Sequence, residues 1–138
     1  MDVFGYGLVF IATFFTVSLV DYVWHLVLLR KPFEAGIKQV GVVEDGNIKV
    51  QSPAAGLISQ VLVVGSIMFL VLYSEVEALI QASAIGAAGG VLAISVYGLV
   101  NRALIKGWGQ TITVLEVIWG PLIGGFTGAL VFYLASVV

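Results

Sequence analysis

Runs of apolar residues constrain this chain more than any other feature. Four of them, at about 4–29, 54–74, 82–105 and 111–136, each reach the roughly 20 helical residues that a hydrocarbon core requires. Lipid offers no partner to a backbone N–H or C=O, so each run must satisfy its own, and helices follow. A transmembrane barrel would instead show segments of about ten residues with alternating polarity. Composition agrees. The chain is 60% hydrophobic and 10% charged, whereas soluble domains carry about 25% charged residues. The sequence therefore predicts an all-α integral membrane protein, a four-transmembrane-helix bundle forming one membrane domain over 1–138. The opening MDVFGYG has no positive n-region and no small-residue cleavage site after its apolar run, which predicts a retained first span.

The charges are sorted by side. All six basic residues, Arg30, Lys31, Lys38, Lys49, Arg102 and Lys106, lie in or beside the first and third connections. The second connection carries Glu75 and Glu77, and Asp2 lies at the N-terminal end. The positive-inside rule then predicts a multi-pass protein of the cytoplasmic membrane, with loops 1 and 3 in the cytoplasm and both termini outside. Tyr6, Tyr73 and Tyr133 fall near the outer interface and Trp108 near the inner one. The one sizeable extramembrane piece, about 30–53, contains IKQVGVV and IKV flanking EDGN. Asp45-Gly46 at the centre of that tetrad predicts a small β-hairpin. An isolated hairpin is marginal in water, so this one needs the bundle or a partner to pack on.

Helical spacing assigns the polar residues to faces. Thr13, Val17, Asp21 and His25 recur every four residues in the first helix, with Ser18 alongside. This places Asp21 and His25 close enough to share a hydrogen bond or a proton. In the fourth helix Glu116, Gly120, Gly124 and Gly128 form another such stripe, and Gly86 and Gly90 repeat the spacing in the third. Small residues let membrane helices approach closely, so these five glycines are read as packing surfaces, within one chain or across a dimer. Tyr97 and Asn101 follow on a neighbouring face of the third helix. The second offers Ser59 and Gln60 near its inner end. At about 1.5 Å per residue, Asn101, Glu116 and His25 lie on the order of 6–8 Å deep, and Asp21, Tyr97 and Trp119 roughly 12–13 Å. The strong polar groups thus gather in one half of the bundle, as a polar, aromatic-walled cavity opening inward.

Composition also excludes. Without cysteine there is no disulfide, thiolate metal site or iron–sulfur cluster, and one histidine cannot make a His-rich metal site. Haem held by two histidines would need a dimer with both His25 copies facing each other. No cofactor or metal is expected. There is no basic tract for nucleic acid and no H-E-x-x-H motif, so an enzyme is not the favoured reading, although Asp21 with His25 could serve as acid and base.

These residues form a pattern. D-x-x-W late in helix one is Asp21 and Trp24. Y-x-x-x-N followed by LIKGW is Tyr97, Asn101 and Leu104 to Trp108. V-x-E-x-x-W-G is Val114, Glu116, Trp119 and Gly120. The pattern resembles a family of small predicted membrane proteins, domain of unknown function twenty-one seventy-seven. The resemblance spans all four helices and is most distinctive in the second half. It implies four helices and no established activity. The chain departs from the family in its longer first loop and in Gly98, where the family usually has aspartate after the tyrosine.

Ionisable groups at membrane depth cost about 2.5–3.5 kcal/mol on insertion scales and persist with partners or in wet cavities. Glu116 could pair with Arg102, Lys106 or interfacial water. Asp21 could serve an ion, proton or ligand, or bond structurally to Asn101, Gln60 or Tyr97. Two function classes stay open. One is a small solute or ion transporter, proton-coupled, whose ligand site is Asp21, His25, Tyr97, Asn101, Glu116 and Gln60, walled by Trp24 and Trp119. The other is an accessory subunit that binds a partner through its glycine faces and first loop. Beyond the lipid bilayer, the partners considered are a second copy or a larger membrane complex.

Overall fold

The computed structural model describes residues 1–41, 43–44, 47–49 and 52–138. Among the described residues, four helical spans are long and apolar enough to cross a membrane: Val3–Leu28, Pro53–Tyr73, Leu79–Leu104 and Gln110–Val137. The first comprises α1 (Val3–Tyr22) and a π-helical turn, Val23–Leu28. The second is α3 (Pro53–Tyr73). The third comprises α4 (Leu79–Gly90), a π-helical turn at Val91–Ser95, and α5 (Val96–Leu104). The fourth is α6 (Gln110–Val137), which runs through Pro121.

The helix starts have local causes. The Asp2 carboxylate accepts from Gly5 N at 2.8 Å. Ser52 accepts from Ala55 N at 3.2 Å, with Pro53 following it in the first turn, a favourable place for a residue without N–H. Gln81 reaches back to accept from Glu77 N and Ala78 N, at 3.0 and 3.2 Å. Those two bonds satisfy the donors at and just before the N-cap, and the third span starts at Leu79, ahead of the expected 82.

The bundle has the polarity of a membrane protein. Thr13 is 0% and Glu116 6% exposed, while Phe15 is 68% and Leu104 78% exposed. Outward apolar side chains on every span are what lipid solvates, and small or polar residues inside let helices approach. α6 is central and touches α1, α3, α4 and α5. Against α4 its backbone is in direct contact. A Cβ on Gly86 would meet Gly124 O, and Gly128 N at 2.8 Å. One on Gly90 would meet Gly120 O, and Gly124 Cα at 2.9 Å. Only glycine fits at either position. Buried side chains form three groups along the bundle: Val9, Ile67, Val71 and Val131 at the end away from loops 1 and 3, Val17, Val64, Trp119 and Ile123 in the middle, and Ile37, Trp108 and Ile112 at the loop end.

The first connection differs from the expected hairpin in its first arm. Arg30–Ile37 is a helix, α2, followed by a single 3-10 turn at Lys38–Val40. The arm expected to be extended from Ile37 is therefore helical as far as Val40. Tertiary packing explains the change, since Ile37 is buried with Trp108 and Ile112, and Gly36 O accepts from Gly109 N at 2.9 Å. A Cβ on Gly36 would lie 2.9 Å from Ile112 Cβ, so the helix docks on the start of α6 by way of a glycine. Two short strands, β1 (Val43–Glu44) and β2 (Asn47–Ile48), pair antiparallel beyond it, Val43 opposite Ile48. The expected turn residues Asp45 and Gly46 lie outside the described residues.

Candidate functional site

The two acid-x-x-Trp segments face each other across the bundle. Asp21 sits at the end of α1, and the π-helical turn begins two residues later, with Leu29 N bonded to Trp24 O, five residues back, at 2.9 Å. A π turn adds a residue to the helical cycle and is frequent at functional sites. Trp24 and His25 are carried on it. From α6, Trp119 Nε1 donates to Asp21 Oδ1 at 2.8 Å. The Trp119 ring stacks on Trp24, centroids 4.2 Å apart and planes at 8°. Each tryptophan thus acts on the other helix, one as donor to the acid and both as a stacked pair.

His25 lies between the two carboxylates. Its Nδ1 is 3.0 Å from the Asp21 main-chain O and 3.3 Å from Asp21 Oδ1. Its Nε2 is 3.3 Å from Glu116 Oε1. A carbonyl oxygen only accepts, so the Nδ1 position carries the proton. Two arrangements then suit the Nε2 side. A neutral imidazole accepts from a protonated Glu116, or an imidazolium donates to ionised Glu116. They differ by one proton moved along a single line, and in both the His25–Glu116 pair has no net charge. With Asp21 ionised, the three groups together carry one negative charge.

The surroundings leave Asp21 accessible. Its side chain is 34% exposed, and that of Glu116 8%. Asp21, His25, Gln60 and Tyr97 line an open groove of about 870 Å³, together with Ser18, Tyr22 and Phe33. A smaller cleft of about 230 Å³ shares those four residues and reaches Glu116 and Trp119. Phe33, from α2, meets the His25 ring edge-on at 4.7 Å, so the loop helix forms part of the groove's rim. Arg30, next to Phe33 in that helix, pairs with Glu34 at 2.6 Å, and the adjacent carboxylate raises the guanidinium pKa further. Among the described residues, no three His, Asp or Glu side chains are gathered as metal ligands would be.

Of the eight site residues expected from sequence, Asp21, Trp24, His25, Glu116 and Trp119 are in mutual contact, and Gln60 and Tyr97 line the groove. Asn101 lines neither cavity. Its Nδ2 is buried with no hydrogen-bond partner among the described residues. Neither offered cation reaches Glu116: Arg102 instead donates to Trp108 O at 2.6 Å, and Glu116 meets His25. Asp21 takes Trp119 and His25 as partners, not Asn101, Gln60 or Tyr97. Trp108, expected at the membrane interface, is 8% exposed and packs with Ile37 and Ile112. Two contributors were not assigned to the site from the sequence. Phe33 belongs to a helix that local pattern does not announce. Gly98 has as its signal the departure from the family pattern: a Cβ there would lie 2.8 Å from Glu116 Cβ, so the glycine lets the third span close on the acid.

Fold and composition define a multi-pass helical membrane protein with four spans. Within that class, the profile of one family, DUF2177, described as predicted membrane protein, matches residues 6–133. The match covers nearly the whole chain, and the chain belongs to that family. No curated protein and no solved structure matches it.

Proposed function

We propose that the chain binds a small organic cation in the groove beside Asp21, exchanging it for a proton, as the binding step of solute transport across the membrane. The observation that carries this reading is the Asp21–His25–Glu116 arrangement at the edge of an open groove. In the arrangement with Asp21 ionised, its carboxylate attracts a cation arriving from the groove, and the exchanged proton is the one shared by His25 and Glu116, so the charge balances. Tyr22, Tyr97 and Phe33 supply aromatic surface for a cation's apolar body. Intramembrane acids that face a cavity are functional candidates by default. The basic residues at the loop end favour a groove that opens toward the cytoplasm. The accessory-subunit reading is weakened because its glycine faces on α4 and α6 are occupied by each other.

The test uses tetraphenylphosphonium, whose fixed charge cannot carry a proton, so any proton released on binding comes from the protein. Calorimetry in two buffers of different ionisation enthalpy measures binding and proton release together. Wild type is expected to bind and release, and Asp21→Asn to do neither while keeping its fold, since the amide oxygen still accepts from Trp119. Equal binding by Asp21→Asn, or no binding by wild type across a panel of lipophilic ammonium and phosphonium ions, overturns the reading.

A further inference from the structure

α6 divides at Pro121 into two halves with different attachments. Toward the loop end it carries Glu116 and Trp119. Beyond the proline, Gly124 and Gly128 lie on the backbone of the third span at Gly86 and Gly90, and Gly120, just before it, still touches Gly90, so the tight backbone seam ends at the proline. Proline has no N–H, so the Val117 carbonyl, four residues back, has no helical donor. Inside a membrane protein, neighbouring helices and Ser or Thr side chains re-satisfy a group freed in this way. Here the substitute comes from the third span: Ser95 Oγ donates to Val117 O at 3.0 Å.

Three local features serve that bond. Ser95 is 3% exposed, so water does not compete for the carbonyl. It ends the π-helical turn Val91–Ser95, where Val96 N bonds to Val91 O. And a Cβ on Gly120 would strike Ser95 Oγ, so the hydroxyl reaches α6 only because residue 120 has no side chain. Val117 lies between Glu116 and Trp119 in sequence and holds the same half-helix that carries both.

We infer that Ser95 is a positioning residue: its bond to the Val117 carbonyl fixes the loop-side half of α6 against the third span and so sets Glu116 and Trp119 against His25, Asp21 and Trp24. Without it, that half-helix pivots at Pro121 while the glycine-packed half stays in place. The consequence for transport rests on the cation-binding reading, but the geometric claim does not.

The stacked Trp24–Trp119 pair gives a readout that needs no ligand, an exciton couplet in the circular dichroism spectrum. Ser95→Ala is expected to abolish the couplet. Pro121→Ala restores the N–H that Val117 O lacks, so it keeps the couplet alone and recovers it in the Ser95→Ala/Pro121→Ala double variant. Retention of the couplet in Ser95→Ala overturns the inference. So does its loss in Pro121→Ala alone, which would give the positioning to the proline, and so does failure of the double variant to recover it. If Ser95→Ala does not fold, the double variant decides by the same criterion: folded with the couplet supports the inference, unfolded or without it overturns it. The calorimetric experiment can fail while the couplet behaves as expected, so the two proposals are separately refutable.

Discussion

Gly90→Ala is expected to be among the most damaging single-methyl additions to this chain, and its cost can be worked from the contacts. The new Cβ would lie 2.8 Å from Gly120 C and 2.9 Å from Gly124 Cα, with Gly120 O nearer still. All three are backbone atoms, so no rotamer change relieves the clash. Bringing the carbon contacts to about 3.5 Å and clearing the oxygen requires α4 and α6 to separate by on the order of 1 Å. A radial gap of 0.5–1 Å forfeits about a quarter to a half of the dispersion well for each atom pair across it. Association in lipid depends on such packing, because the bilayer removes most of the hydrophobic drive between helices. Overpacking typically costs about 1–3 kcal/mol, and the absence of a side chain that could yield puts this site at about 2–3 kcal/mol. Gly7 is the control. It lies within the first span, and a Cβ there meets nothing within 4 Å. Gly7→Ala gains helix propensity of at most about 1 kcal/mol. Reversible unfolding in mixed dodecylmaltoside–SDS micelles measures both. A gap of about 2–4 kcal/mol between the variants is expected. Equal midpoints would refute the argument, because they would mean that α4 and α6 are not in backbone contact.

Trp119→Phe keeps an aromatic ring against Trp24 but removes the donor to Asp21 Oδ1. Hydrogen bonds between membrane helices average about 0.6 and reach about 1.7 kcal/mol, and a cost in that range is expected here. In an Asp21→Ala background the cost should shrink toward zero in the same unfolding assay, and an undiminished cost would show that the bond does not form. Gly36→Ala should lift α2, because the added carbon would meet Ile112 Cβ at 2.9 Å beside the Gly36–Gly109 hydrogen bond. Amide exchange over Arg30–Ile37 should accelerate at least about tenfold, equivalent to ~1.4 kcal/mol, and unchanged exchange would mean that α2 is held in some other way.

How much of this was legible depended on whether the deciding interaction is local. The spans were legible, because crossing lipid takes about 20 apolar residues whatever the tertiary context. Their ends shifted by a few residues where a side chain such as Gln81 supplies a cap. Proximity of Asp21 to His25 was legible from helical spacing. Its bond to Trp119 was not, since Trp119 lies 98 residues away and reaches Asp21 only once α6 packs on α1. α2 was not anticipated: its residues include Pro32 and Gly36, poor helix formers, and its helical state comes with burial of Ile37 against Trp108. The π-helical turns left no local mark at all. Pro121 drew no reading from the sequence, because the serine that completes it is 26 positions earlier, on another helix.

The repeated acid-x-x-Trp pattern takes its meaning from this crossing. Read along one helix, each acid and its tryptophan lie roughly one turn apart, which suggests two walls of one pocket. In three dimensions the donor of one segment serves the acid of the other, and the two indoles stack across the boundary. His25 then links the acids, Nδ1 toward Asp21 and Nε2 toward Glu116. The segments therefore form a single unit assembled from α1 and α6. A change in the relative position of those helices alters the indole–carboxylate bond, the stack and the proton line together. Under the proposed cation-binding reading, occupancy of the groove at Asp21 would be felt at Glu116 through His25, which cannot turn away from one acid without losing its alignment to the other. The glycine contacts of α6 with α4 hold the far end fixed, so any motion of this unit falls on the half of the bundle that contains the groove.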